Sequence, residues 1–378
     1  MGTVGYMAVM AMAPVIREAM AINAAQFGFF MSAYFAAQFV TALPAGIITD
    51  HLGIGWSLVL SMALIAFGIG IFAATTVFEV GLLAMFTMGL GYTLVNPATA
   101  KGVLEWFPRQ RLATAMGVKQ LGVPVGGLLG AGAGALVVLV DWRMVLALPL
   151  IAALITGAVW MLFVQRPVRV SGDWAGVWAD LRIVLGNRRL SIICGANVGF
   201  NIGQSSFFTF TALFIRDAAA ASQPFASFCV ACAQVAAAIG RVGYGAVSDT
   251  FFQARRKNAI VAVLLVSFIF FASTLLVTPS WPAWALVGLV VALGGTVAAF
   301  APLIIALSVE SSEARLSGAT IGYNALAWSA GGVIGPPLFG LILDSSGSYG
   351  QAWLVTGLIV LVGALVLHFG FNEGEPVS

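Results

Sequence analysis

Charge is what this sequence has least of. Only 8% of its 378 residues are Asp, Glu, Lys or Arg, and it holds two histidines and three cysteines against 61% hydrophobic residues. Soluble domains run near a quarter charged, so this composition excludes a water-soluble enzyme of this size and makes lipid the main solvent. The net charge of +3 is too small and too scattered for a nucleic-acid-binding surface. Cys229-x-x-Cys232 has neither the polar context nor the second ligand pair that a redox or metal site needs. With Cys194 it reads as small residues in packed helices. No nucleophile constellation, phosphate loop or metal cluster is present, so neither an enzyme nor a cofactor is expected.

What the chain does have is apolar length. A spanning helix with its loop takes about 30 residues, which allows about twelve spans. Twelve apolar runs are found, at 2–20, 26–48, 56–76, 80–105, 113–139, 143–164, 191–215, 224–247, 258–278, 283–308, 317–343 and 350–371. The expected fold is therefore an all-α membrane protein of twelve transmembrane helices. The first run is short before Arg17 and Glu18, which reads as a truncated first helix, or else one that thins the bilayer; a signal peptide would need a basic n-region. Loops on one side hold eleven Lys and Arg, those on the other Arg17, Arg143 and Arg216. This asymmetry places both termini in the cytoplasm.

The longest break in hydrophobicity divides the runs six and six: an N-terminal half 1–164, a linker 165–190, a C-terminal half 191–372 and a tail 373–378. Within the linker Trp174, Trp178, Leu181 and Leu185 recur at helical spacing, as in an amphipathic helix lying on the membrane; a plain linker is the simpler reading. The halves repeat each other. A shift of 205 superposes Gly89, Pro97, Gly117, Gly126, Gly127 and Gly130 on Gly294, Pro302, Gly322, Gly331, Gly332 and Gly335, and a shift of 199 superposes Gly46 and Asp50 on Gly245 and Asp249. Six spans per half give both copies the same orientation, a parallel repeat with a substrate cavity between the halves.

On these residues the chain resembles the major facilitator superfamily of secondary transporters over essentially its whole length. GIITDHLG (46–53) is similar to the family's Gly-x-x-x-Asp-x-x-Gly loop, through Gly46, Asp50 and Gly53; GRVGYGAVSD (240–249), followed by Arg255, Arg256 and Lys257, matches it better. The resemblance implies a conformational switch at Gly46, Asp50, Gly53, Arg241, Gly245 and Asp249, with each aspartate docking on the opposite half when the cytoplasmic side closes. Two departures stand out. Ile54-Gly55 replaces the usual basic pair, and Met85 stands where many members carry an arginine. GVKQLGVPVGG (117–127) resembles bacterial members grouped with nitrate/nitrite and organic-anion porters, without the nitrate signature.

Lys119 is the sharpest single residue. It shares a face of the fifth run with Gly126 and Gly130, and an intramembrane ammonium marks a substrate or ion path by default; snorkelling or pairing with a carboxylate is the plainer alternative. Lys101 is expected to pair with Glu105 at i+4. Polar stripes gather the other candidates: Tyr34 and Gln38; Tyr92 and Asn96; Gln120 beside Lys119; Asn197, Asn201 and Gln204; and Tyr323, Asn324 and Trp328. Gly122, Gly126, Gly130 and Gly134 are expected to form a close-packed sliding seam between the halves. No Asp or Glu lies deep in a span, so coupling would run through Lys119 or a protonatable substrate.

The reading is a monomeric carrier in the lipid bilayer for a small organic anion, a carboxylate, working by alternating access with a co-transported proton or a counter-anion. Efflux of apolar compounds and a non-transporting receptor or scaffold are the alternatives.

Overall fold

The computed structural model describes residues 2–108, 111–164, 174–250 and 255–373. The linker stretch 165–173, the tail from 374 and the Asp249 side chain lie outside the described residues. Everything regular in the description is helical. The first half contains α1 (Gly2–Ala11), α2 (Ala13–Met20), α3 (Ala24–Thr41), α4 (Pro44–Ala74), α5 (Phe78–Trp106), α6 (Leu112–Ala135) and α7 (Trp142–Met161). A short α8 (Trp174–Gly186) leads to the second half: α9 (Arg188–Asp217), α10 (Gln223–Thr250), α11 (Arg256–Ser273), α12 (Ala283–Val297), α13 (Ala301–Glu310), α14 (Ser317–Ser346) and α15 (Tyr349–Gly370). Among the described residues ten helices, α12 and α13 counted together, are long and apolar enough to cross a membrane. The bent pair α1–α2 and the more polar α3 complete twelve passages.

Local chemistry explains the breaks. Pro14 has no N–H to give Met10, so the first passage bends at Met12 while Ile16 N–H still reaches Met12 O at 3.0 Å. The 26–48 and 56–76 runs were expected to flank a loop. Instead α4 is helical from Pro44 to Ala74, and one residue, Gly53 at φ 75° and ψ 169°, turns the chain between its two parts. That conformation is open to glycine and strained for other residues, which gives the last glycine of the loop motif its physical reason. Pro97 is absorbed inside α5, whereas its repeat mate Pro302 follows a true break at 298–300 between α12 and α13.

The halves meet through α3 on α14 and α6 on α10, pairs that the internal repeat exchanges. Gly89 sits against Tyr34 O, where a Cβ would lie 2.2 Å away, and Gly294 sits against Ala233 O at 2.6 Å. Tyr34 and Ala233 are themselves mates at the shift of 199. The sliding-seam expectation needs correction. Gly126 and Gly130 pack on Thr3 and Met7 of their own half, Gly134 on Ala11 of its own half and Ser227 of the other, and Gly331 and Gly335 on Val198 and Ile202 of theirs, while an added Cβ at Gly122 would meet nothing within 4 Å. The glycines in tightest contact with the other half stand one position along. An added Cβ at Gly127 would lie 2.4 Å from Gln234, and one at Gly332 2.2 Å from Phe35. A rotation of 100° per residue separates the two faces.

Pro337 leaves Val333 O without its helical donor, and Ser32 Oγ of α3 donates to it across the interface. At the adjoining helix end Asp344 of α14 accepts from Ala24 N–H at 3.0 Å and Ala25 N–H at 2.8 Å, while Asn23 caps Gln26 N–H at 2.8 Å. The free N–H groups of the first turn of α3 are thus satisfied partly by the other half. Arg216 and Glu18 add an ion pair between halves at 2.6 Å, and Gln223 donates to Ala11 O at 2.8 Å. The polar bridges gather from this end, the Glu18 end, to mid-helix.

On α8, Leu181 and Val184 are buried against the protein while Trp178, Ile183 and Leu185 are exposed. Arg315 bonds Asp180 at 2.9 Å and ties α8 to the second half. Cys194, Cys229 and Cys232 are free, the first two buried.

Candidate functional site

Between the halves lies a cavity of about 80 Å³. From the first half Tyr6, Met31, Tyr34, Phe35, Gln38, Tyr92 and Val123 line it; from the second, Asn201, Gln204, Ser205, Phe208, Arg241 and Trp328. The helical period brings this set together. Tyr34 and Gln38 are one turn apart on α3, Asn201, Gln204, Ser205 and Phe208 share one face of α9, and Arg241 stands about two-thirds of the way along α10. The tilted rings of Tyr6 and Tyr34 pack with centroids 4.6 Å apart, and those of Tyr34 and Tyr92 at 5.8 Å. One wall is aromatic and the facing wall amide-rich.

The hydrogen-bonding capacity of these walls is not exhausted internally. Tyr34 Oη, Gln38 Nε2, Asn201 Oδ1 and Gln204 Oε1 are buried without a protein partner, and Tyr34 and Asn201 are almost wholly buried. Such atoms are costly unless a ligand or solvent satisfies them. Arg241, half-buried, donates from Nε to Ala298 O at 3.3 Å and faces no carboxylate among the described residues.

Of the twelve binding candidates read from the sequence, Tyr34, Gln38, Tyr92, Asn201, Gln204 and Trp328 line this cavity. Lys119 does not. It lies one turn from Val123 and donates to Asn96 Oδ1 at 2.7 Å and Asn96 O at 3.3 Å. Gln120 is exposed beside it. Asn197 and Asn324 are buried and bonded to each other at 3.2 Å, and Tyr323 bonds Ser191 at 3.4 Å. Asn96, Lys119, Asn197 and Asn324 therefore form a second polar tier, one turn nearer the Asp50 end. The central cation is Arg241, which the loop motif had assigned to the switch.

The other residues that the loop motif assigned to a switch lie toward that end. Asp50 pairs with Lys101 at 2.8 Å within the first half, displacing the expected Lys101–Glu105 pair: α4 turns at Gly53 beside α5 and brings the aspartate to the lysine. An added Cβ at Gly46 or Gly245 would meet nothing within 4 Å. Aspartate docking on a helix N-terminus of the opposite half is realised at the Glu18 end, by Asp344. Among the described residues no three His, Cys, Asp or Glu side chains converge as metal ligands.

The Major Facilitator Superfamily model matches residues 1–269 and 193–377. The chain belongs to the major facilitator superfamily. It is thus an integral membrane protein of a transporter family, not an enzyme. This major facilitator is 24% identical over 399 residues to the hexuronate transporter of Bacillus subtilis (strain 168), covering 97% of this chain and 93% of that one. It is 30% identical over 183 residues to the galacturonate transporter of Dickeya chrysanthemi, 44% of this chain and 50% of that one. Its fold is similar to that of a bacterial homolog of the human lysosomal transporter Spinster in an inward-facing, unoccupied conformation, with TM-score 0.82, 16% identity, and 97% and 93% of the two chains covered. It is also similar to a variant of the nucleoside transporter NupG, with TM-score 0.78, 15% identity and 98% and 97% covered.

Proposed function

We propose that this major facilitator moves a small organic anion across a bacterial inner membrane by alternating access, both termini cytoplasmic, and that the anion is a sugar acid of the hexuronate class. The observation that carries the reading is Arg241 in a cavity between the halves whose remaining polar atoms are neutral. A guanidinium presents a planar fork to a carboxylate. The unpartnered Tyr34, Gln38, Asn201 and Gln204 atoms offer donors and acceptors to hydroxyl groups, and the aromatic faces pack against a sugar ring. The names of the relatives agree with this chemistry. An apolar cargo would leave Arg241 desolvated and unpaired, which disfavours efflux of apolar compounds.

The test is uptake of labelled galacturonate into proteoliposomes. Saturable uptake blocked by excess glucuronate is expected. Uptake no faster than into protein-free vesicles would overturn the proposal.

Lys119 acts from the second tier as a steering charge. An additional cation some 8 Å from a bound carboxylate contributes about 2 kcal/mol at an effective dielectric of 20, and roughly half of that after screening. Lys119→Ala is therefore expected to raise KM about fivefold with kcat little changed, and Lys119→Arg to restore it. An unaltered KM would confine Lys119 to its bond with Asn96.

A further inference from the structure

No carboxylate among the described residues lies against Arg241 to neutralise its charge. The described carboxylates are engaged elsewhere or sit at helix ends: Glu18 with Arg216, Asp50 with Lys101, Asp217 with Tyr349, Glu310 with Arg256, and Asp344 on the first turn of α3. The titratable and charged groups facing the cavity or one turn from it are Tyr6 on α1, Tyr34 on α3, Tyr92 on α5, Lys119 on α6 and Tyr244 on α10, none of them acidic at neutral pH. The helices α9 and α11 to α13, also packed on α10, place their charged residues at their ends. His51 and His368 lie exposed outside it. Asp249 is eight residues along α10, about 12 Å away along its axis.

A guanidinium keeps its proton in proteins, so Arg241 cannot shed its charge. A carrier passing between two open states goes through a closed one in which the cavity loses bulk water. Loaded with a carboxylate, Arg241 makes that passage as a neutral pair. Empty, it makes it as a bare desolvated cation, the costly case in lipid and in a protein interior.

Resting on the anion-carrier reading, we propose that the protein is an anion exchanger: only the loaded form reorients, one organic anion enters as another leaves, and no proton crosses with it. The bookkeeping is electroneutral, because like charge moves in both directions.

Proteoliposomes loaded with unlabelled galacturonate, or with zwitterionic buffer alone, decide the matter. Labelled galacturonate should enter the preloaded vesicles at least about tenfold faster, a difference of one factor of ten being about 1.4 kcal/mol in the barrier. Neither a pH gradient nor a membrane potential should drive accumulation in the empty ones. One variant makes the mechanism specific. Gln38→Glu places a titratable carboxylate in the same cavity, on the first-half lining across from Arg241, offers Arg241 a partner when empty, and should raise net uptake into empty vesicles relative to exchange. Concentrative, pH-driven uptake into empty wild-type vesicles at the exchange rate would overturn exchange and leave the anion-carrier reading standing. Absence of both flux and binding would overturn the two together.

Discussion

Replacing Arg241 with Gln is expected to weaken galacturonate binding at least about thirtyfold. Truncating one partner of a buried, hydrogen-bonded charge pair costs about 2–5 kcal/mol, and 1.4 kcal/mol is a factor of ten, so the range runs from about thirtyfold to a few thousandfold. Arg241 donates to Ala298 O through Nε, so the proposed carboxylate would meet its terminal nitrogens. Arg241→Lys keeps the charge and loses the fork, and should fall between the two. Equilibrium binding on detergent-purified protein, with thermal unfolding as the control for folding, gives the answer. Wild-type affinity in the glutamine variant would contradict the site.

The second large effect concerns the contact between halves at the Glu18 end. A Cβ on Gly340 would lie 2.5 Å from Ala24 O, 2.5 Å from Ala25 Cα and 2.6 Å from Ala24 C. These are backbone atoms of the turn that Asp344 caps, so no side chain can swing away. Gly340→Leu should push α14 off α3 and break the two Asp344 bonds. Overpacking of this kind costs about 1–3 kcal/mol, which multiplies the ratio of parted to closed forms by roughly 5 to 150. Spin labels at Val77 and Ser280, exposed on opposite halves near this end, should move apart, and transport should fall in proportion. An unchanged label distance with normal turnover would reduce the contact to ordinary packing.

How far each feature was legible depends on whether it is local. Apolar length and composition lead directly to membrane passages, and the offsets of 199 and 205 survive in three dimensions as equivalent close approaches at Gly89 and Gly294. Gly53 was legible as a motif member; its positive φ explains the spacing. What periodicity alone does not supply is the rotation of one helix against another. Gly126 and Gly127 are neighbours in sequence, yet one packs within its half and the other on Gln234 of the opposite half. The same ambiguity hid the central cation. Lys119 drew attention as a charge inside an apolar run, whereas Arg241 belonged to a loop signature and read as part of a switch. Only the packing of α10 against α6 and α9 turns it into the cavity. Tyr6 gave one further signal, a polar ring in the first apolar run with no stripe around it. Asp344 capping α3 joins residues 320 apart in sequence, a pairing no local pattern encodes.

The central claim is that Arg241 holds the carboxylate of a sugar acid between the two halves, and displacement of labelled galacturonate from the purified wild-type protein tests it most directly. The neutral sugar galactose offers the same ring and hydroxyl groups without the charge. Unlabelled galacturonate is predicted to displace the label at concentrations near its own affinity, and galactose to leave it bound at roughly thirtyfold higher concentration, the lower bound for losing a buried charge partner. Equal displacement by galactose would contradict the account.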